Sequence, residues 1–305
     1  MSIEIRNERI GDEDAIDLVN CTAFGSMDEA NIVQLMRLYS PAYDRRYSVV
    51  AWDGDEPVGH TLFTPAALRL MGQTVPALAV GPVAVRPEWR RKGIGGDMLS
   101  LGHELGRREG FAFAFLYGIP DYYPRVGYRA CYGVAKVTID VDKLPKATMS
   151  FQNRPVLAAD IPWLVERWRI EWADVDFGWL WGSSRHEWHI PGMNARMWWT
   201  ADGRRAAYTM DKAGRGRCKV MLADDPELAR QVLATMRPKT LEHHPSGWLA
   251  QHALQTEWAA CKAERITAAM ACELQPGALD PYIKALEAGE RLPGFTMFPL
   301  PFLAC

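Results

Sequence analysis

From Val83 to Gly96 the chain reads Val-Ala-Val-Arg-Pro-Glu-Trp-Arg-Arg-Lys-Gly-Ile-Gly-Gly, an apolar strand running through a basic turn into a glycine-rich helix start. Few folds accommodate that order. The turn Arg90-Arg91-Lys92 and the glycines Gly93, Gly95 and Gly96 gather unpaired backbone N–H groups, helix-dipole charge and cationic side chains around one point. That arrangement suits a pyrophosphate, and side chains in place of the glycines would hold its oxygens away from the backbone. Spacing excludes two familiar phosphate loops. A P-loop needs a lysine and a hydroxyl residue after its glycines, and none follows here. A dinucleotide fingerprint needs a third glycine where Met98 stands.

The residues that follow extend the pattern into a βαβ unit. Ile94, Met98, Leu101 and Leu105 fall on one face of a helix, Arg107 and Arg108 sit in its last turn, and Gly110 supplies a stop. Phe111 to Tyr117 is apolar on both faces, as a covered parallel strand should be. Upstream, Ile3–Arg6 reads as a strand, and helices are expected from Asp12 and over about 28–39. Tyr47–Trp52 and Pro57–Phe63 read as a hairpin about Asp53-Gly54, and a further strand covers about 75–85. Within that strand Gly81-Pro82 predicts a bulge that would splay it from its parallel neighbour and open a slot. The fold class is therefore α/β, with a mixed sheet.

Arg90-x-x-Gly93-x-Gly95 after a strand resembles the acyl-CoA pyrophosphate loop of the GNAT superfamily of N-acyltransferases. Asp121-Tyr-Tyr-Pro-Arg-Val-Gly-Tyr128 resembles that superfamily's Tyr-x-x-x-Gly-Phe/Tyr signature, with Tyr123, Gly127 and Tyr128 in the matching places. The resemblance implies that Arg90, Arg91, Lys92, Gly93, Ile94, Gly95 and Gly96 hold the pyrophosphate. It places Val83, Ala84 and Val85 beside the pantetheine arm, and makes Tyr123 the general acid that protonates the leaving thiolate, with Tyr122 as the fallback. Acetyl-CoA is the implied co-substrate, and a small-molecule or peptide amine the acceptor. A protein lysine is an alternative acceptor, and a non-catalytic acyl-CoA sensor an alternative role.

A second copy follows the first. An offset of 146 brings Asn7, Ile10, Asp14, Leu18 and Val19 onto Asn153, Val156, Asp160, Leu164 and Val165, and Asp53-Gly54 finds a counterpart in Asp202-Gly203. No second Arg-x-x-Gly-x-Gly occurs. This layout resembles the tandem-GNAT acetyltransferases related to the enhanced intracellular survival family, without their sterol-carrier-like domain. We expect a catalytic unit over 1–145, a degenerate copy over 146–305, and possible homo-oligomers.

Length, composition and charge fit such an enzyme. The chain has 305 residues, 24% charged and 48% hydrophobic, with a net charge of −2, so no nucleic-acid or membrane partner is expected. Six scattered cysteines suggest reduced thiols and a cytoplasmic setting. His186 and His189 lack a third ligand, so no metal is expected. The tryptophans crowded between Trp163 and Trp199 read as inter-copy core, with a pocket for an aromatic or cationic substrate as the alternative. The general base is open: Asp121, His60, water and the Cys305 carboxylate are the candidates.

Overall fold

The structure, a computed structural model, describes residues 3–189, 192–212 and 216–299. Chain order begins with β1 (Ile3–Asn7), the helices α1 (Glu13–Phe24) and α2 (Asp28–Tyr39), and then β2 (Ser48–Asp53), β3 (Glu56–Leu70) and β4 (Gln73–Val85). The hairpin expected to end near Phe63 continues to Leu70 and turns through Met71 and Gly72, whose φ of 50° and 75° suit the twist between antiparallel strands. Helix α3 (Ile94–Arg108) crosses to β5 (Phe113–Tyr117), parallel to β4. Beyond lie β6 (Arg129–Ala130) and β7 (Gly133–Ile139).

The remainder comprises β8 (Phe151–Pro155), α4 (Ile161–Glu171), the short α5 (Arg185–Trp188), β9 (Asn194–Thr200), β10 (Arg205–Asp211) and β11 (Arg217–Leu222). Helix α6 (Pro226–Met236), β12 (Thr240–Leu241), α7 (Trp248–His252), β13 (Ala259–Arg265), β14 (Ala269–Glu273) and α8 (Asp280–Glu287) complete it. Two seven-stranded mixed sheets result, ordered β1-β2-β3-β4-β5-β14-β6 and β13-β7-β12-β11-β10-β9-β8. They do not divide at residue 145. Strand β7 belongs to the second sheet, and β14, from late in the chain, lies between β5 and β6 in the first. A cut at 145/146 therefore follows neither sheet.

The two copies carry the same local device. Arg6 grips Asp12 through two bonds of 2.6 and 3.0 Å, the Arg9 N–H donates to the same carboxylate at 2.7 Å, and the Arg6 guanidinium lies 5.2 Å from the Trp52 ring. In the second copy Arg154 grips Asp160 at 2.6 and 2.9 Å, the Leu157 N–H donates at 2.8 Å, and the guanidinium lies 5.3 Å from Trp199. Asp160 thus corresponds to Asp12 and not, as the offset of 146 expects, to Asp14.

One large core joins the halves. Phe113 and Phe115 of the first sheet pack in the same cluster as Tyr208 and Val220 of the second, together with Trp168, Trp172, Trp179, Trp181 and Trp188. The aromatic stretch is mainly inter-copy core. Trp168 and Trp181 stack at 4.1 Å between ring centres. A second cluster holds α3 against the first sheet. There Gly102 meets Phe63 so closely that a Cβ would stand 2.0 Å from the ring, and Gly106 meets Leu78 in the same way. These contacts seat the helix low on the sheet. Among the described residues no helix is long and apolar enough to cross a membrane.

Candidate active site

The bulge in β4 stands where glycine and proline interrupt the strand. Thr61 pairs with Val83 and Phe63 with Val80, so Gly81 and Pro82 together face Leu62 alone. The parallel pairing of β4 with β5 stops at Ala79 and Phe115. Beyond that point Val83, Ala84 and Val85 have β3 on one side and no paired strand on the other. Val83 and Val85 are half-buried and Ala84 is buried. A slot open on its strand edge offers backbone groups to a ligand with amides.

At the end of β4 the chain enters the basic turn. None of the backbone N–H groups from Arg91 through Gly96 donates to a described residue, and the first bond into the helix is that of Asp97 to Gly93 O at 3.1 Å. This run of free donors at the positive end of a fifteen-residue helix is an anion cradle. Gly93 holds φ at 86°, a left-handed conformation that favours glycine, and it carries no side chain to fill the cradle. Ile94 turns its side chain into the core and leaves only its backbone to the loop. Arg90 has a different place from that expected of a free cation. Its guanidinium donates to Val85 O at 3.1 Å and to Ala23 O at 2.5 Å, tying the turn to the end of α1. Arg91 is exposed, and Lys92 lies over the Trp89 ring at 4.0 Å.

Tyr122 and Tyr123 close the other side. Their segment is a short turn of helix (Tyr123–Val126) that Gly127 ends, after which Tyr128 is buried. The Tyr122 hydroxyl lies over Gly95, 2.6 Å from where a Cβ would stand. The Tyr123 ring packs on Gly118 at the end of β5 and against Tyr128 at 5.6 Å, and so lies beside the splayed end of the slot. Burial pushes the Tyr123 phenol up to about 12, so it keeps its proton throughout the neutral range.

The base candidates fare differently. His60 is wholly buried towards α1, with Nδ1 at 3.0 Å from Asn20 Nδ2 and Nε2 at 3.1 Å from Ser48 Oγ. Burial lowers its pKa to about 3, so it stays neutral and reads as a core residue. Asp121 is exposed. Cys305 lies outside the described residues. No cluster of His, Cys, Asp or Glu among the described residues could hold a metal ion, and His186 packs against Tyr39 in a tilted pair with ring centres 4.5 Å apart.

A loop of free donors beside a splayed β4–β5 pair suits a ligand that carries phosphates and amides. Residues 4–131 match the acetyltransferase (GNAT) domain model. Over 122 residues the chain is 33% identical to YjhQ of Escherichia coli K12, an uncharacterized N-acetyltransferase, an alignment spanning 39% of this chain and 67% of that protein. Among solved structures, a GCN5-related N-acetyltransferase from Kribbella flavida aligns at a TM-score of 0.68 with 17% identity, covering 91% of this chain and 72% of its own. Eis1 from Mycobacterium abscessus aligns at 0.64 with 14% identity, covering 91% and 74%. The chain belongs to the GNAT family of acetyltransferases and has the tandem architecture of these solved structures. It is an acyl-CoA N-acyltransferase.

Sequence reasoning weighed Glu187 as a charge that could attract a cationic substrate, but it missed Thr64 and Tyr39, which line a cleft with it next to the slot. The signal at Thr64 is Pro65, a proline inside a long strand.

Proposed function

We propose that the protein moves an acetyl group from acetyl-CoA to a primary amine by direct attack, at a donor site built from the first copy. The observation that carries this reading is the unbroken run of free N–H groups from Arg91 to Gly96 at the head of α3. Those donors, with Arg91 and Lys92, would hold the pyrophosphate, while Arg90 fixes the turn to α1. The open edge of Val83, Ala84 and Val85 would take the amides of the pantetheine arm. When bound, acetyl-CoA supplies a thioester carbonyl activated toward amines.

Tyr123 then acts as the general acid. As the amine nitrogen bonds to the carbonyl carbon and the C–S bond breaks, the Tyr123 O–H gives its proton to the departing sulfur. The amine's own surplus proton passes to solvent, and Tyr123 is reprotonated from there. A phenol raised to about 12 by burial is fully protonated at neutral pH, the state this role requires. Replacing Tyr123 with Phe should lower kcat by one to three orders of magnitude (~10–1,000-fold), with the acetyl-CoA Kd nearly unchanged. Steady-state rates beside calorimetry check it, and an unaltered kcat would remove Tyr123 from the mechanism.

A further inference from the structure

Two different partners cover the outer edge of β3. Strand β2 pairs with it as far as Ser48–Leu62. From Ala67 onward the segment 177–180 takes over: Leu180 N–H donates to Ala67 O, Arg69 N–H to Gly178 O, and Phe177 N–H to Arg69 O. Between them, at 63–66, that edge has no strand. Pro65 shares the parity of Ala67 and Arg69, so its nitrogen faces the gap, and it has no N–H to leave unpaired there.

A narrow cleft opens over this gap. Its walls include Met36 and Tyr39 of α2, Trp179, and His186 and Glu187 of α5, with Thr64 in the gap itself. Thr64 is 1% exposed, yet its Oγ1 has no hydrogen-bond partner among the described residues. Buried hydroxyls are rarely left bare. Glu187 accepts N–H bonds from Gly182 at 2.8 Å and Ser184 at 3.1 Å, and no described cation pairs with it. The cleft also backs onto the donor slot. Thr64 pairs with Ala79, and Trp179 packs edge-on against Phe115 at 5.8 Å; Ala79 and Phe115 form the last pair before β4 and β5 part.

Aromatic walls, one uncompensated carboxylate and one bare hydroxyl are complementary to a cation with a flat, apolar body. We propose that this cleft is the acceptor subsite and that the acceptor is a slender primary amine with an aromatic body. It enters as its ammonium ion drawn by Glu187, is flanked by Tyr39 and Trp179, hydrogen-bonds to Thr64 Oγ1, and gives one proton to solvent before the neutral nitrogen attacks. A heavily hydroxylated amine would leave its own hydroxyls against Met36 and Trp179 without partners. This assignment rests on the donor site proposed above.

The test separates the two. Calorimetry with acetyl-CoA comes first, and an absence of binding would overturn the donor site and this assignment with it. With binding established, thiol release is measured on the intact protein with 2-phenylethylamine, spermidine, an aminoglycoside and a lysine-containing peptide. The expected result is a kcat/KM for 2-phenylethylamine at least ~10-fold above the others. Thr64→Val and Glu187→Gln should each raise its KM by roughly 5–50-fold with the acetyl-CoA Kd unchanged, as loss of a binding contact does. Because the Thr64 hydroxyl has no partner, Thr64→Val should melt no lower than the wild type, which separates lost binding from lost folding. Acetyl-CoA binding without a preference for 2-phenylethylamine, or unmoved KM values in both variants, would overturn the acceptor assignment and leave the donor site standing.

Discussion

Helices α3 and α6 occupy corresponding places in the two copies, each following a strand of its sheet, but their N-termini are finished in opposite ways. At α6 the Asp225 side chain accepts from the N–H groups of Glu227 at 2.8 Å and Leu228 at 3.0 Å, so the helix end is satisfied from within. At α3 the cap is Gly93, which offers no side chain, and the donors stay open. One copy satisfies its helix end from within, and the other leaves it open. The Arg6–Asp12 and Arg154–Asp160 grips show that both copies keep the same local framework although their helix ends differ.

The largest expected effect concerns how far the copies can be separated. A fragment of residues 1–145 lacks β14 and leaves Phe113–Tyr117 of β5 with an open edge, so it should be insoluble or should melt without cooperativity. A soluble, cooperatively melting fragment would show that the shared strand is dispensable. Next in size is the seating of α3. Gly102→Leu forces a side chain into the Phe63 ring and should cost about 3 kcal/mol or more, seen as a lower Tm, whereas Ala229 on α6 should tolerate Ser with a smaller loss.

The twin grips give a matched pair of middling effects. Asp12→Asn and Asp160→Asn should each cost about 1–3 kcal/mol in denaturant unfolding. The Arg6 hydrogen bonds hold the Asp12 carboxyl below its ordinary range; at Asp160 burial opposes ionisation, but the bonds from Arg154 and Leu157 outweigh it. A carboxyl held low stabilises the fold above its unfolded pKa, near 4, and loses that contribution as pH falls through its folded value. Both variants should therefore show a shallower loss of stability on acidification below about pH 4 than the wild type. Smallest is the α6 cap: Asp225→Ala should cost about 1 kcal/mol.

Much of this could be read in the sequence, for reasons that differ by element. The cradle was legible because its chemistry is local: strand, basic turn, glycines and an amphipathic helix stand within one stretch from Val83 to Arg108. The bulge was legible for the same reason, since Gly81-Pro82 has few other places in a strand. The place of β14 was not, because Ala269–Glu273 has the pattern of any buried strand and its neighbours are more than 130 residues away. The copy alignment slipped by two residues because it matched Asp14 and not Asp12, whose pairing with Arg6 only the folded strand reveals. The partners of Arg90 were not legible because sequence shows a charge and not the Val85 and Ala23 carbonyls that engage it. The reach of β3 past Phe63 was not legible because the segment that covers its edge there, 177–180, stands more than 100 residues later.

The central claim is that the open helix end of α3, and not that of α6, binds acetyl-CoA. Calorimetry with acetyl-CoA on the wild type, Gly93→Asp and Asp225→Ala tests it most directly, because Gly93→Asp gives α3 the carboxylate cap that α6 already has. The expected result is binding by the wild type and by Asp225→Ala with the same Kd, and affinity reduced ~100-fold or more in a folded Gly93→Asp, where an anion is set against an anion. Unchanged binding by Gly93→Asp, or binding lost on removing Asp225, would contradict it.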